Sequence, residues 1–135
     1  MLDKRQLAIL CAVGALFWLA DLAWIRLVPV FVVGPFWGDL GFLVSVPVAW
    51  FCVRVCRRLA GLDVVQLVPG ATLLVVVAAL LHGLALRWAP ALYGGDHAGR
   101  LGGAWLLWIY GLILGAALLS ARDAKQARPV RAAMI

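Results

Sequence analysis

Four stretches of apolar residues, each near the length of a bilayer-crossing helix, divide the chain and leave it few ways to fold. They cover residues 6–28, 40–56, 64–86 and 101–121, with charged or Gly/Pro-rich breaks between them. About 20 residues of helix cross a hydrocarbon core of about 30 Å. In that core only helices and closed barrels satisfy every backbone N–H and C=O, and these runs lack the polar–apolar alternation of barrel strands. A soluble fold would have to bury all four in one core. The chain has 135 residues, 66% of them apolar and 13% charged, against roughly half and a quarter in soluble domains. A chain this small has too little interior for that load. The expected fold is all-α: a single integral-membrane four-helix bundle. The first run is too long for the apolar part of a cleaved signal peptide, and no small-residue cleavage site follows it, so it is expected to remain as a span.

The basic residues orient the spans. Lys4, Arg5, Arg54, Arg57, Arg58, Arg122, Lys125, Arg128 and Arg131 fall on one side, and only Arg26, Arg87 and Arg100 on the other. Lys and Arg are retained in the cytoplasm, so nine against three predicts both termini inside, with residues 122–135 as a basic cytoplasmic tail. The Arg-rich, Glu-free composition fits a GC-rich bacterial genome, and the expected location is the bacterial cytoplasmic membrane. The net charge of +6 then reflects topology and contact with anionic lipid. No basic patch lies away from the membrane flanks, so no nucleic-acid partner is expected.

Tryptophans mark the same frame. Trp24, Trp37, Trp88 and Trp105 fall near the outer ends of their runs, where amphipathic rings favour the headgroup level. Trp18, Trp50 and Trp108 lie deeper and are expected between helices. Residues 28–38, VPVFVVGPFWG, are uncharged and apolar, which predicts a segment lying in the outer interface, with cover by a partner protein as the alternative.

The six acids sort by position. Asp3, Asp39, Asp63 and Asp96 each stand just before an apolar run, where a carboxylate accepts from free backbone N–H groups and meets the positive end of the helix dipole. Gln6 and Gln66 follow Asp3 and Asp63 at the spacing of a capping box. Asp123 belongs to the basic tail. Asp21 has no such place: it lies roughly two turns inside the outer end of the first run. A carboxylate there costs on the order of 2.5–3.5 kcal/mol on insertion scales, so it is expected to face the bundle and hold a partner. His82, at comparable depth in the third run, is that partner, on a face with Ala78, Ala79 and Ala85 that allows close helix approach. The pair reads either as a structural clamp or as a proton-responsive site. Arg26 and Arg87, five residues further out, are expected to snorkel to the surface.

Other features point to less. Cys11, Cys52 and Cys56 lie toward the inner side without CxxC spacing, so reduced, metal-free thiols are expected. His82 has no second embedded His beside it, His97 sits in a Gly-rich loop, and no cofactor is expected. Ser45, Thr72 and Ser120 have neither a base nor an orienting carboxylate at useful spacing, which excludes a nucleophile triad. The Gly-rich stretch 93–103 lacks the strand–turn–helix context and the Lys of a phosphate loop. Gly111 and Gly115 form a GxxxG pattern, a helix-packing face.

Two resemblances add to this. LVPGATLLVVVAALLHGLALRWAP followed by GAWLLWIYGLILGAALL resembles a family of uncharacterised small four-helix bacterial membrane proteins, which implies architecture and little else. Size and helix count also resemble the small multidrug resistance transporters, whose embedded Glu in the first helix exchanges protons for cationic drugs. This chain has no Glu, and Asp21, nearer the outer side, would take that place. The reading that follows is a non-enzymatic protein acting by association, as a homo-oligomer or an accessory subunit of a membrane complex. The alternative is a small proton-coupled exporter with Asp21 as the coupling carboxylate. An exporter predicts a polar or aromatic-lined cavity reaching Asp21; an accessory subunit predicts a filled bundle with an apolar outer face.

Overall fold

A computed structural model describes residues 1–132, without the side chains of Asp96 and residues 125–132. The expected Asp96 cap and the tail side chains Lys125, Arg128 and Arg131 therefore lie outside the described residues. The described chain is all helical: α1 (Lys4–Leu27), the single turn α2 (Val30–Val33), α3 (Pro35–Ala60), α4 (Leu67–Trp88), a 3-10 turn (Pro90–Tyr93) and α5 (Asp96–Ala132). Four helices, Lys4–Leu27, Pro35–Ala60, Leu67–Trp88 and His97–Ala124, are long and apolar enough to cross a membrane.

Most boundaries differ from expectation because local chemistry extends a helix, whereas α4 starts at Leu67, three residues after the expected 64, behind a turn. Gly34 is extended, and Pro35 enters at the first helical position, where its fixed φ suits a helix and its missing N–H costs nothing. The second long helix thus begins five residues earlier than the apolar run. Asp39 lies inside α3 and is no cap. The helix also runs on through Arg54, Arg57 and Arg58. Arg57 and Arg58 occupy its last turn, where cations meet the negative end of the helix dipole. Gly61, at φ 60°, ends it in the left-handed conformation. At the other end of the chain, the expected tail continues α5 as far as Ala132. Within residues 28–38, α2 packs on α3 with Val32 buried while Phe36 and Trp37 stay exposed, and Phe31 meets Trp24 at a tilt and Trp37 edge-on, with centroids 5.6 and 5.5 Å apart.

The long helices alternate in direction. In cyclic order they run α1, α4, α5, α3, with broad contact along α1–α4, α4–α5 and α3–α5 and only a thin seam between α1 and α3. Small residues let two helix backbones approach closely. Gly14 does this for α1: a Cβ there would stand 2.9 Å from both the Leu74 carbonyl and Val77 Cβ. The α1–α4 register is constant, each contact joining residues about 60 apart: Gln6 to Gln66, Gly14 to Leu74, Asp21 to His82.

The near end, which carries the N-terminus, locks through two reciprocal Asp–Gln pairings. Asp3 accepts from the Gln6 N–H at 2.7 Å and Asp63 from the Gln66 N–H at 2.8 Å, while each Gln accepts from the backbone N–H of its Asp. The two amides then exchange hydrogen bonds with each other at 3.0 and 3.1 Å. The Asp3/Gln6 box caps α1 as expected, whereas the same reciprocal bonds at Asp63/Gln66 close the turn before α4, whose own N-cap, Gln66, makes no side-chain cap bond. The link between the two joins the start of α1 to the start of α4.

Candidate functional site

At the far end, Asp21 enters the bundle from α1 and is 7% exposed. The Tyr110 hydroxyl, from α5, donates to its Oδ2 at 3.2 Å. His82, from α4, places Nε2 3.6 Å from the same oxygen, within ion-pair range but longer than a hydrogen bond. On its other side His82 Nδ1 lies 2.6 Å from the Tyr93 hydroxyl. Tyr93 reaches it from the 3-10 turn and is wholly buried. Burial pushes the Tyr93 phenol above its ordinary value, so the hydroxyl keeps its proton at neutral pH. One tautomer suits every neighbour: Nδ1 accepts from Tyr93, leaving Nε2–H toward the carboxylate.

Asp21 and His82 are thus brought together as expected, and Tyr110 and Tyr93 complete a four-residue cluster that sequence reasoning missed. The signal was present. The chain has only two Tyr, one alone in the fourth apolar run and one just before Gly94–Gly95, and both end up here.

The cluster borders a cavity of about 250 Å³ between α1, α3 and α5. Trp24 and Val48 stand at its lip, and Ser45, Trp105 and Ile109 form its buried floor. The floor's polar atoms are already matched: Trp105 Nε1 donates to Ser45 Oγ at 3.0 Å, and Ser45 Oγ donates to the Gly41 carbonyl at 2.8 Å. Asp21 is left as the ionisable group facing this space. The bundle is therefore not filled at Asp21.

Several expected site residues take other places. Trp105 is 5% exposed and belongs to the cavity floor, not the outer interface, because α5 starts a full turn earlier and carries it inward. Trp24, Trp37 and Trp88 are exposed, as are Arg26 and Arg87. Trp108 is exposed too, its indole donating to the Phe42 carbonyl across the α3–α5 contact. Ala78 is fully buried and Ala85 half-buried beside His82, but Ala79, one residue and about 100° further round, points outward. A Cβ added at Gly111 or Gly115 would meet nothing within 4 Å, so the GxxxG face packs against no helix described in this chain. Cys52 and Cys56 are buried in α3 while Cys11 is exposed on α1, and no three His, Cys, Asp or Glu among the described residues are grouped to hold a metal ion.

Fold and site together define an all-helical bundle with four candidate spans and a buried Asp–His–Tyr–Tyr cluster. No protein-family model, curated protein or solved structure matches the chain.

Proposed function

We propose that the chain is a non-enzymatic protein of the bacterial cytoplasmic membrane, spanning it four times with both termini inside, and that it works by association with itself or with a larger membrane complex. The observation that carries this reading is the outward face of α5. Gly111 and Gly115 stand there with open space before them, flanked by the exposed Leu107 and Leu118. A helix that presents paired glycines away from its own bundle offers a second helix a close backbone approach. Replacing both glycines with Leu tests this. Labelled copies mixed in vesicles should then lose energy transfer, or the chain should leave its complex, while the bundle stays folded. Unchanged assembly would remove the reading's main support.

The cavity at Asp21 favours a second reading, the proton-coupled exporter. Size argues against it. About 250 Å³ falls below the roughly 300–1,000 Å³ of drug-sized pockets. Flux of a small organic cation into proteoliposomes, driven by a proton gradient and abolished by Asp21→Asn, would make the exporter the better account.

A further inference from the structure

We propose that the crevice between α1 and α3 is a socket for one basic side chain, Arg in particular, carried by a transmembrane helix of a partner subunit, with Asp21 as its counter-charge. This rests on the association reading and names the kind of partner.

Four observations carry it. First, the crevice opens sideways. It lies in the thin α1–α3 seam, and its lips, Trp24, Val44 and Val48, are apolar and exposed. They belong to the same outer belt as Leu16, Leu43 and Phe51, so an occupant arrives from the hydrocarbon side. Second, the carboxylate has one oxygen to spare: Tyr110 and His82 both meet Oδ2. Among the described residues the one ion-pair contact of Asp21 is His82, at 3.6 Å, and Oδ1 receives no hydrogen bond from them. The nearest Arg on the same helix, Arg26, lies beside the Gly94 turn instead. Carboxylates at this depth are expected to pair, and a partner's cation can take the oxygen that this chain leaves free. Third, the volume is that of a side chain. About 250 Å³ has room for one long side chain and falls short of the roughly 300–1,000 Å³ of drug-sized pockets. Fourth, the walls suit a cation. Trp24 and Trp105 line the space, and indole faces attract a guanidinium. Asp21 lies about 9 Å below the far end of α1, which sets the depth of the matching residue.

The test uses the full chain, fluorescently labelled, in phosphatidylcholine vesicles. The probe is a synthetic Leu/Ala helix of about 20 residues with a single Arg about six residues from its far end; the control carries Leu there. Energy transfer should show the Arg helix binding at least about tenfold more tightly than the control, a difference of about 1.4 kcal/mol. Asp21→Asn should erase that preference. Because this variant also disturbs the cluster, Val48→Trp, which fills the crevice from its exposed lip, should erase it independently. Equal binding of the two helices, or a preference that survives both variants, would overturn the socket. So would saturable binding of n-hexylammonium at Asp21 without any preference for the Arg helix, an outcome that favours the exporter. Assembly of the chain in its own membrane is measured separately. If assembly persists while the Arg helix fails, the socket is wrong and association stands; if assembly is absent, association itself fails.

Discussion

The Tyr110 hydroxyl donates to Asp21 Oδ2 at 3.2 Å, joining residues 89 positions apart on α5 and α1. These two helices face each other across the bundle with little packing of their own, so the bond is a main tie along that diagonal. Interhelical hydrogen bonds in membrane proteins average about 0.6 kcal/mol and reach about 1.7. Tyr110→Phe should therefore lower unfolding stability by about 1 kcal/mol. Its effect should be non-additive with Asp21→Asn by at least about 0.5 kcal/mol in a double-mutant cycle. Additive losses in a denaturant titration would show that the hydroxyl acts elsewhere.

His82 should couple to Asp21 in the same way. Asp21→Asn and His82→Ala are expected to interact by at least about 0.5 kcal/mol, although Nε2 and Oδ2 are 3.6 Å apart, because both belong to one buried network. The ring should also report Tyr93: nitrogen NMR should find Nδ1 as acceptor and Nε2 protonated, and Tyr93→Phe should shift the Nδ1 resonance. The opposite tautomer would reverse the hydrogen-bond order across the cluster.

At the near end, Gln6→Ala and Gln66→Ala should each destabilise the chain, and the double variant should cost less than the sum. Each single change leaves the other amide without its partner, and removing the second then removes an already unpaired group. Strict additivity would mean that each Gln matters only within its own capping box.

Much of this architecture was legible, because the four long apolar helices follow from run length alone. The capping boxes were legible as Asp3/Gln6 and Asp63/Gln66, but not their mutual bond, although the identical pattern recurring 60 residues on hints at helices sharing a level. Asp21 stood out because every other acid read as a helix-end or tail residue, although Asp39 proved to lie inside α3. Tyr93 was harder: it comes from a turn, and no periodicity says which way a turn folds. Helix ends were misjudged wherever charge was taken for loop. Arg54, Arg57 and Arg58 complete α3, since a charged residue ends an apolar run without ending a helix. The GxxxG pattern was visible, but its direction was not; facing depends on the neighbours, which one helix's sequence does not contain.

Topology can be tested with single cysteines in a background lacking Cys11, Cys52 and Cys56. Leu59→Cys at the near end and Ala91→Cys at the far end are both on exposed positions. Intact cells treated with an impermeant thiol reagent should label only Ala91→Cys. Labelling of Leu59→Cys instead would invert the orientation, and labelling of both would break the four-span topology.

The central claim is that this chain works in company. Its most direct test is the mass of the particle released when the native membrane is cut into lipid discs by an amphipathic polymer, without detergent. Each disc should hold at least two polypeptides, either two copies of this chain or one copy with another membrane-spanning subunit. Replacing Gly111 and Gly115 with Leu should shift the discs toward single chains. Discs that hold one copy of the native chain and only lipid, at every expression level, would contradict it.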